Sequence, residues 1–484
     1  MSRLIRWYDY ITFNIYFFGL TTLSQTMGLL TPLLVQQFVG VSHQGTYYGN
    51  FRLFTLMVAL LAQSLMGLLS DRSTITWGRR RPFILVGTVI TAVLTILIGF
   101  TAGMEGMQGF WILLAIGLLQ SVAANTGQAA EQGIIPDLVP DEKRGRFSGV
   151  KALLEIPLPM IVVALLIAKQ ISKGNMWVGL LVAIGVLVFT MLLTMLVPEK
   201  QLNETPPPNN WGPFLRLFAM TGVFTLIIWG SGKLVVLVSG LLKDVTSSTT
   251  IFIFMGLLGL IGMLVAVALG VWLSVRISIG NKAKENPSFT WWVINRLAFL
   301  VGAVNLSTFA VYFFQARLGY EKEEAAAPAS LLLLLVGAFI IISSVPAGWL
   351  TDRFGEKRIV AIAGLVAVAG TIIALSIPSL PVIYVGGCII GISAGLFYTA
   401  NWALGTLLVP KEEAGRYLGI SNLAGAGAGA VGAYIGGPIA DFVTAKVPQV
   451  AGFGYVLIFT IYGLLFLFSV IALTQVKETR YSSS

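Results

Sequence analysis

Long apolar stretches separated by short polar loops run along almost the whole chain. Fourteen of them reach about 20 residues, the length that a helix needs to cross the hydrocarbon core of a bilayer. Because they are continuously apolar and do not alternate with polar positions, they predict membrane-spanning helices rather than the strands of a barrel. The predicted spans are 11–38, 48–69, 83–103, 110–133, 148–168, 177–197, 214–241, 250–275, 291–316, 328–350, 359–378, 381–408, 417–440 and 453–475.

The polar segments between the spans divide the chain into three regions. A stretch rich in Pro and Asn, 198–213, follows the sixth span and is typical of a linker. Two spans come next, and six more complete the chain. We therefore predict an N-terminal six-helix half at 1–197, a linker region with two extra helices at 198–290, and a C-terminal six-helix half at 291–484.

Composition excludes most soluble functions. Of the 484 residues, 56% are hydrophobic and only 11% are charged, whereas soluble domains carry roughly 25% charged residues. The single Cys and the single His argue against a disulfide framework, a metal cluster or a haem site. No nucleotide-binding loop or nucleophile constellation is recognisable. We expect an all-α polytopic membrane protein that is not an enzyme and uses no cofactor or metal.

The basic residues favour one set of loops. Lys and Arg number 31 against 21 Asp and Glu, and they concentrate in loops on the same side as the N-terminus. The positive-inside rule then places both termini in the cytoplasm. The charge of +10 is thereby assigned to topology and not to nucleic-acid binding. We expect a multi-pass protein of the cell (cytoplasmic) membrane, monomeric, whose partners are the lipid bilayer, a small-molecule substrate and a coupling ion.

Two loop motifs occur twice, at equivalent places in the two six-span groups. The first, G-x3-D-R followed by a Gly and basic residues, closes the second span of each group. Its residues are Gly67, Asp71, Arg72, Gly78, Arg79 and Arg80 in the first copy and Gly348, Asp352, Arg353 and Gly355 in the second. The other motif pair is 139–146 and 409–416. These pairs indicate an internal duplication, and repeats of this kind are expected to hold a site between them near the membrane midplane.

On these motifs the chain resembles the major facilitator superfamily of secondary transporters. The hallmark of that family is G-x-x-x-D-R/K-x-G-R/K-R/K between spans two and three, with a degraded copy in the second half. The first copy here carries four extra residues, and its longer form at 70–83, S-D-R-x5-G-R-R-R-P-F, is similar to the loop of sucrose–proton and related glycoside–cation symporters. The resemblance implies two six-helix halves and transport by alternating access.

The finer resemblance leaves three functions open. The longer loop favours proton-coupled symport of a sugar or glycoside, although Gln132 and Ser121 stand where those symporters carry an arginine and an aspartate. The extra helix pair is similar to that of fourteen-span drug–proton antiporters, which favours a drug or lipid exporter. A non-transporting membrane receptor or assembly factor on the same scaffold is the third alternative, and the duplicated gating motifs argue against it.

The first loop motif predicts a cytoplasmic gate. Asp71 can pair with Arg72 or another loop cation and can face the N-terminus of a neighbouring helix, where the dipole favours an anion. Such a cluster would hold the cytoplasmic side shut in the outward-open state. The alternative is that these charges only set the topology of the chain.

Among the ionisable residues inside predicted spans, where charged groups are costly, three lie in the neighbouring fourth and fifth spans. Glu131 is in the fourth span, and Lys151 and Glu155 lie four residues apart on one face of the fifth. Because a short loop joins these spans, the three side chains could meet. Glu131 or Glu155 would then bind the coupling proton and Lys151 would compete with it. The alternative is a permanently paired structural network.

Polar and aromatic residues halfway through the spans are candidates for substrate contact, because amides hydrogen-bond hydroxyl groups and an aromatic face stacks on a sugar ring. The candidates are Gln25, Asn125, Gln128, Asn305, Tyr398, Asn401 and Trp402. The alternative is that the amides bridge neighbouring helices in lipid. Arg52 and Arg296 lie near predicted span ends, which favours snorkelling or ion pairing over chemistry.

Overall fold

The computed structural model describes residues 6–199, 201, 211–280, 283, 286–409 and 414–477. Regular structure within these ranges is entirely helical. Fourteen helical segments among them are long and apolar enough to cross a membrane, by length and composition. Each coincides with one predicted span, so the prediction of an all-helical protein with fourteen spans is confirmed. Helices are the expected solution, because a spanning segment in lipid must satisfy its own backbone hydrogen bonds.

The first six spans are built from ten α-helices. Their bounds are α1 (Asp9–Thr12), α2 (Ile15–Val39), α3 (Gln44–Asp71), α4 (Arg81–Thr101), α5 (Gly106–Gln132), α6 (Ile134–Leu138), α7 (Asp141–Glu155), α8 (Pro157–Val162), α9 (Ala168–Ser172) and α10 (Met176–Thr194). The other eight spans follow as α11 (Gly212–Leu241), α12 (Ser248–Ile279), α13 (Pro287–Thr308), α14 (Ala310–Leu318), α15 (Ala326–Phe354), α16 (Glu356–Ser376), α17 (Leu380–Leu408), α18 (Ala414–Lys446) and α19 (Phe453–Thr474).

Two spans are less regular than the sequence pattern predicts. The fifth is interrupted at Ile156, and a π-helical turn at Val163–Ile167 separates α8 from α9. Pro157 explains the interruption, since proline lacks an N–H and restricts the residue before it. The ninth span begins earlier than predicted, at Pro287, and α13 ends at Thr308 before the short α14 continues the chain. This shift places the residues of α13 further from the start of the helix than the sequence suggests.

The chain forms two compact units. One comprises Met1–Phe38 and Val58–Phe214, and the other Val39–Met57 and Leu215–Ser484. In the first unit, α4 packs against α5 and α10. In the second, α13 packs against α18 and α19, and α12 of the extra pair packs against all three. The first turns of α3 therefore belong with the second unit, although the rest of the helix belongs to the first. Most of the linker predicted at 198–213 lies outside the described residues.

Candidate functional site

One carboxyl group of the first unit, that of Glu131, is both buried and without a hydrogen-bond partner in the described residues. Glu131 lies near the end of α5 and is fully buried. Neither of its carboxylate oxygens has a hydrogen-bond partner among the residues that the structure describes. Buried carboxylates are otherwise almost always hydrogen-bonded or paired, because an unsatisfied charged group is costly away from water. An orphaned acid of this kind is a candidate functional group.

The two other predicted coupling residues lie on α7, close to the break of the fifth span. Lys151 Nζ is 3.7 Å from Glu155 Oε2, as expected for residues four apart on a helix. The same amine lies 4.2 Å from the centroid of the Phe17 ring and is near enough to Glu131 to act on it electrostatically. The structure therefore brings Lys151 into range of both acids. Whether the three groups couple transport to protons stays a prediction.

Tyr16 is a further neighbour of Glu131 and lies within electrostatic range of it. This side chain of α2 is fully buried, and its hydroxyl lies 2.7 Å from Thr88 Oγ1 of α4. Gly127, one turn before Glu131, makes room for the ring: a Cβ atom at that glycine would lie 3.1 Å from Tyr16 Cζ. The sequence contains both the tyrosine and the glycine, but the sequence alone does not reveal that the two residues face each other across two helices.

Three predicted substrate residues lie in the first unit, and each is half-buried. The Asn125 side-chain amide donates to the Ser121 carbonyl of its own helix at 2.8 Å. Gln25 lies on α2 and Gln128 on α5, one turn before Glu131. Their partly exposed amides leave them as candidates for substrate contact.

Asn305 connects two helices of the second unit. It is fully buried, and its amide nitrogen donates to the carbonyls of Val301 on α13 and Ala428 on α18, both at 2.9 Å. Gly432 on α18 accommodates it, since a Cβ atom there would lie 3.0 Å from Asn305 Cβ. These contacts support the helix-bridging interpretation of this residue, because its donor hydrogens are already used.

A separate buried hydrogen-bonded network lies in the same unit, where Asn401 of α17 is fixed from several sides. Its amide nitrogen donates to Asn295 Oδ1 at 2.9 Å, and Asn295 in turn donates to the Ser469 carbonyl of α19 at 2.8 Å. The Trp292 indole N–H donates to the Asn401 carbonyl at 3.0 Å. Gly405 provides the space for that indole. The network therefore holds Asn401 in one orientation.

Arg296 extends this network, and sequence reasoning missed its position. It lies nine residues after the start of α13, about 13.5 Å along the helix, and not near a span end. Its Nη1 donates to Asn401 Oδ1 at 3.1 Å, and its guanidinium carbon is 5.9 Å from the centroid of the Trp402 ring. Tyr398 is also within electrostatic range. Three predicted substrate residues, Tyr398, Asn401 and Trp402, thus surround one arginine.

The first copy of the gate motif forms a compact ion-pair network. Arg80, whose side chain is only 6% exposed, pairs with Asp71 and with Asp137, and its Nη1 donates to Ser70 Oγ at 2.7 Å. Arg79 pairs with the same Asp137. The prediction that Asp71 contacts a loop cation is met by Arg80. Its role as a gate stays a prediction.

A third carboxylate binds the backbone of the loop, and it lies far away in sequence. Glu199 accepts hydrogen bonds from the backbone N–H groups of Arg80, at 2.8 and 2.9 Å, and of Arg81, at 3.1 Å. N–H groups at the start of a helix such as α4 have no partner within the helix itself, and a negative charge is favourable there. Gly78, with φ of +116°, gives the loop the turn that brings them there.

The second copy of the motif is built differently. Asp352 and Arg353 are exposed, and Arg353 lies over the ring of Trp349 at 5.2 Å. Gly355 has φ of +89° and ends α15, as its sequence position suggests. Half of the repeated motif at 409–416, namely 410–413, lies outside the described residues. The duplication is thus visible in the positions of the loops but not in the contacts of their charges.

Asp441 is a buried acid that the sequence analysis did not select. It lies near the end of α18, and its carboxylate accepts from the backbone N–H groups of Gly45 at 2.9 Å and Thr46 at 2.7 Å, and from the Thr46 hydroxyl at 2.7 Å. It therefore caps the start of α3 from another helix. The two backbones approach closely, since a Cβ atom at Gly45 would lie 2.7 Å from the Gly437 carbonyl oxygen.

Replacing Asp441 by alanine is expected to loosen the start of α3. The two N–H groups would lose a charged acceptor in a buried position, at a cost of about 1–3 kcal/mol. Hydrogen exchange followed by mass spectrometry should show exchange in 44–50 accelerated at least about tenfold, as a loss of 1.4 kcal/mol implies. Asp244→Ala, at an exposed acid, is the control. Equal exchange of these amides in both variants would contradict the capping role.

The duplicated loops and the fourteen spans define a class that comparison with known families identifies. The family model of the Major Facilitator Superfamily matches residues 10–316, 216–433 and 297–482. These ranges together span nearly the whole chain. The chain belongs to the Major Facilitator Superfamily and is a multi-pass membrane protein.

Among individual proteins, the chain is similar to plant sucrose transport proteins over limited segments. It is 29% identical to sucrose transport protein SUC3 of Arabidopsis thaliana over 150 residues, which are 26% of this chain and 23% of that protein. It is 41% identical to sucrose transport protein SUT1 of Oryza sativa subsp. japonica over 83 residues, 17% and 15% of the two chains. The matched segments therefore cover less than a quarter of these relatives.

Solved structures match over nearly the full length. A D-xylose–proton symporter superposes with a TM-score of 0.64 at 14% identity, covering 98% of this chain and 99% of that one. A point mutant of the nucleoside transporter NupG has a TM-score of 0.64 at 12% identity, covering 96% and 99%. At such low identity these likenesses show the fold alone. The predicted major facilitator fold is confirmed.

Proposed function

We propose that this protein is a secondary active transporter that works by alternating access and carries a sugar or glycoside together with a proton. The observation that carries the proposal is Glu131, a fully buried carboxyl group whose oxygens have no hydrogen-bond partner in the described part of the chain. An unpaired charge inside a span costs about 2.5–3.5 kcal/mol or more, so an acid kept there without a partner is by default a candidate functional group.

Two alternative environments would let Glu131 bind and release a proton. An unpaired carboxylate is strongly disfavoured in an apolar interior, and the neutral acid is then preferred. A lysine that approaches the carboxylate favours the ionised form instead. Lys151 lies at 3.7 Å from Glu155 and within electrostatic range of Glu131. A modest movement of α7 would change which acid it serves, and with it the proton affinity of Glu131.

The substrate side of the proposal rests on chemistry and on similarity. The second unit presents amide, hydroxyl and indole groups on α17, which suit the hydroxyls and the faces of a sugar ring. The proteins that match in sequence are sucrose transport proteins, and one of the similar folds is a D-xylose–proton symporter. The basic loops support cytoplasmic termini and a position in the cell membrane.

A drug–proton or lipid–proton antiporter is the second candidate. The extra helices α11 and α12 favour it, because α12 packs directly on α13, α18 and α19 and is therefore an integral part of the second unit. Symport and antiport differ in the direction of proton movement relative to substrate, and this difference provides the test.

The test uses the purified full chain in liposomes without an imposed pH gradient, with a pH-sensitive dye outside. Adding a sugar outside should make the external solution more alkaline, since a symporter takes up a proton with each substrate. Protein-free liposomes and protonophore-treated vesicles are the controls. Acidification of the external solution on adding cationic drugs, with no response to sugars, would support the antiporter, because a drug that enters drives a proton out. No proton movement with either class of compound would contradict both.

A further inference from the structure

Arg296 holds a positive charge deep in the second unit without a matching negative charge. It lies about 13.5 Å from the start of α13, inside one of the helices that are long and apolar enough to cross a membrane. Tyr398, which is within electrostatic range of Arg296, lies about 15 Å from the end of α17. None of the carboxylates in the described ranges forms an ion pair with Arg296. A cation inside a span is expensive and calls for a counter-charge.

The hydrogen bonds of Arg296 leave one edge of its guanidinium group without an acceptor in the described residues. Nη1 donates to Asn401 Oδ1 at 3.1 Å. The Nε–H group is buried without an acceptor, and Nη2 makes no hydrogen bond within the part of the chain that the structure describes. A carboxylate binds arginine most favourably through two parallel hydrogen bonds, and Nε with Nη2 forms such a pair of donors.

The neighbours of Arg296 hold it in place and supply the rest of a binding site. Asn401 is itself fixed by Asn295 and Trp292, so the acceptor that orients the guanidinium cannot turn away. Trp402, 46% exposed, presents its indole beside the guanidinium at 5.9 Å. Neutral amides and a phenol cannot cancel a full charge. The arrangement suits a ligand with a negative group on a ring.

We propose that the substrate is an acidic sugar or glycoside whose carboxylate binds the Nε and Nη2 edge of Arg296 while its ring packs on Trp402. The substrate class rests on the proposed function, since the structure itself indicates only the carboxylate. A neutral sugar would leave Nε unsatisfied and the positive charge uncompensated. The carboxylate corrects both at once, so it should contribute more affinity than any single sugar hydroxyl.

The experiment compares pairs of ligands in which a neutral hydroxymethyl group is replaced by a carboxylate. Binding to the purified full chain is measured by the shift of its thermal unfolding midpoint against ligand concentration. The first pair is phenyl glucoside and phenyl glucuronide, and the second, without a sugar, is benzyl alcohol and benzoate. We expect the glucuronide to bind at least about tenfold more tightly than the glucoside, as charge-assisted hydrogen bonds imply.

Variants assign the effect to the arginine. Arg296→Gln should reduce the affinity for the glucuronide to that for the glucoside, and Arg296→Lys should restore part of it, since lysine keeps the charge but not the paired donors. Arg276→Gln is the matched control, because Arg276 also lies over a tryptophan, Trp272, at 4.3 Å but is exposed on α12. If Arg296→Gln does not fold, the lysine variant and the wild-type pairs still decide.

The outcomes separate this proposal from sugar symport. Equal affinity for both members of each pair, or a carboxylate preference that persists in Arg296→Gln, overturns the assignment of Arg296. Proton movement with phenyl glucoside but not with phenyl glucuronide would also overturn it while leaving sugar symport intact. An Arg296-dependent preference for benzoate, with no proton movement on adding any sugar, would uphold the carboxylate site and reject sugar as the substrate.

Discussion

Replacing Glu131 by glutamine is expected to abolish proton-driven accumulation of substrate while leaving passive movement intact. Glutamine has the shape of the protonated acid but cannot release a proton, so the carrier would be locked in one protonation state. Because Glu131 is fully buried and its oxygens have no partner in the described residues, the neutral amide should be tolerated there. In proteoliposomes with an inward proton gradient, the variant should only equilibrate substrate across the membrane.

An exchange measurement and a control variant distinguish loss of coupling from loss of folding, and a third variant tests the neighbouring acid. Exchange of internal for external substrate needs no net proton movement, so Glu131→Gln should retain it within about twofold of wild type. Glu142→Gln, at an exposed acid of α7, should accumulate substrate normally. Glu155→Gln tests the neighbouring acid, since Lys151 would then have only Glu131 to serve. Accumulation that survives in both Glu131→Gln and Glu155→Gln would reject this pair as the coupling site.

The spans were predictable because each one satisfies a local rule. A helix that crosses lipid needs its own unbroken apolar stretch, and such a stretch is visible without knowing what it packs against. Pro157 in the fifth span was visible too, but its consequence, a break at Ile156 followed by a π-helical turn at Val163–Ile167, depends on packing as well as on the proline. Local patterns therefore determine how many helices form better than they determine where each one bends.

The partners of the charged residues were less predictable, because they come from distant parts of the chain. Glu199 caps the loop at Arg80 across 119 residues, and Asp441 caps the start of α3 at Gly45 across 396 residues. Neither acid belongs to a motif. Arg296 was assigned to a span end because the sequence pattern started the ninth span at 291, whereas α13 starts at Pro287. A few residues of error in a boundary moved one functional candidate by more than a turn.

Substituting Arg80 is expected to destabilise the protein far more than substituting Arg353, an exposed cation of the second motif. The Arg80 side chain is 6% exposed and pairs with Asp137, which is 18% exposed. Removing one member of a buried pair costs about 3–5 kcal/mol when the other charge is left uncompensated. Arg79 would still pair with Asp137, so the loss should lie near the lower end of this range. Its other partner, Asp71, is 58% exposed, so that pair is screened by water and contributes less.

The internal duplication supplies the matched control for Arg80→Gln. Arg353 occupies the corresponding motif, but it is exposed and lies over Trp349, so Arg353→Gln should cost less than about 1 kcal/mol. Thermal unfolding in detergent should therefore rank wild type and Arg353→Gln together, well above Arg80→Gln and Asp137→Asn. Gly133 leaves the room that the Arg80 guanidinium group occupies, since a Cβ atom at that glycine would collide with it. If Arg80→Gln unfolds at the same temperature as Arg353→Gln, the first motif is not a buried structural network. The ion pairs of Arg80 would then have to act in transport and not in the stability of the folded protein.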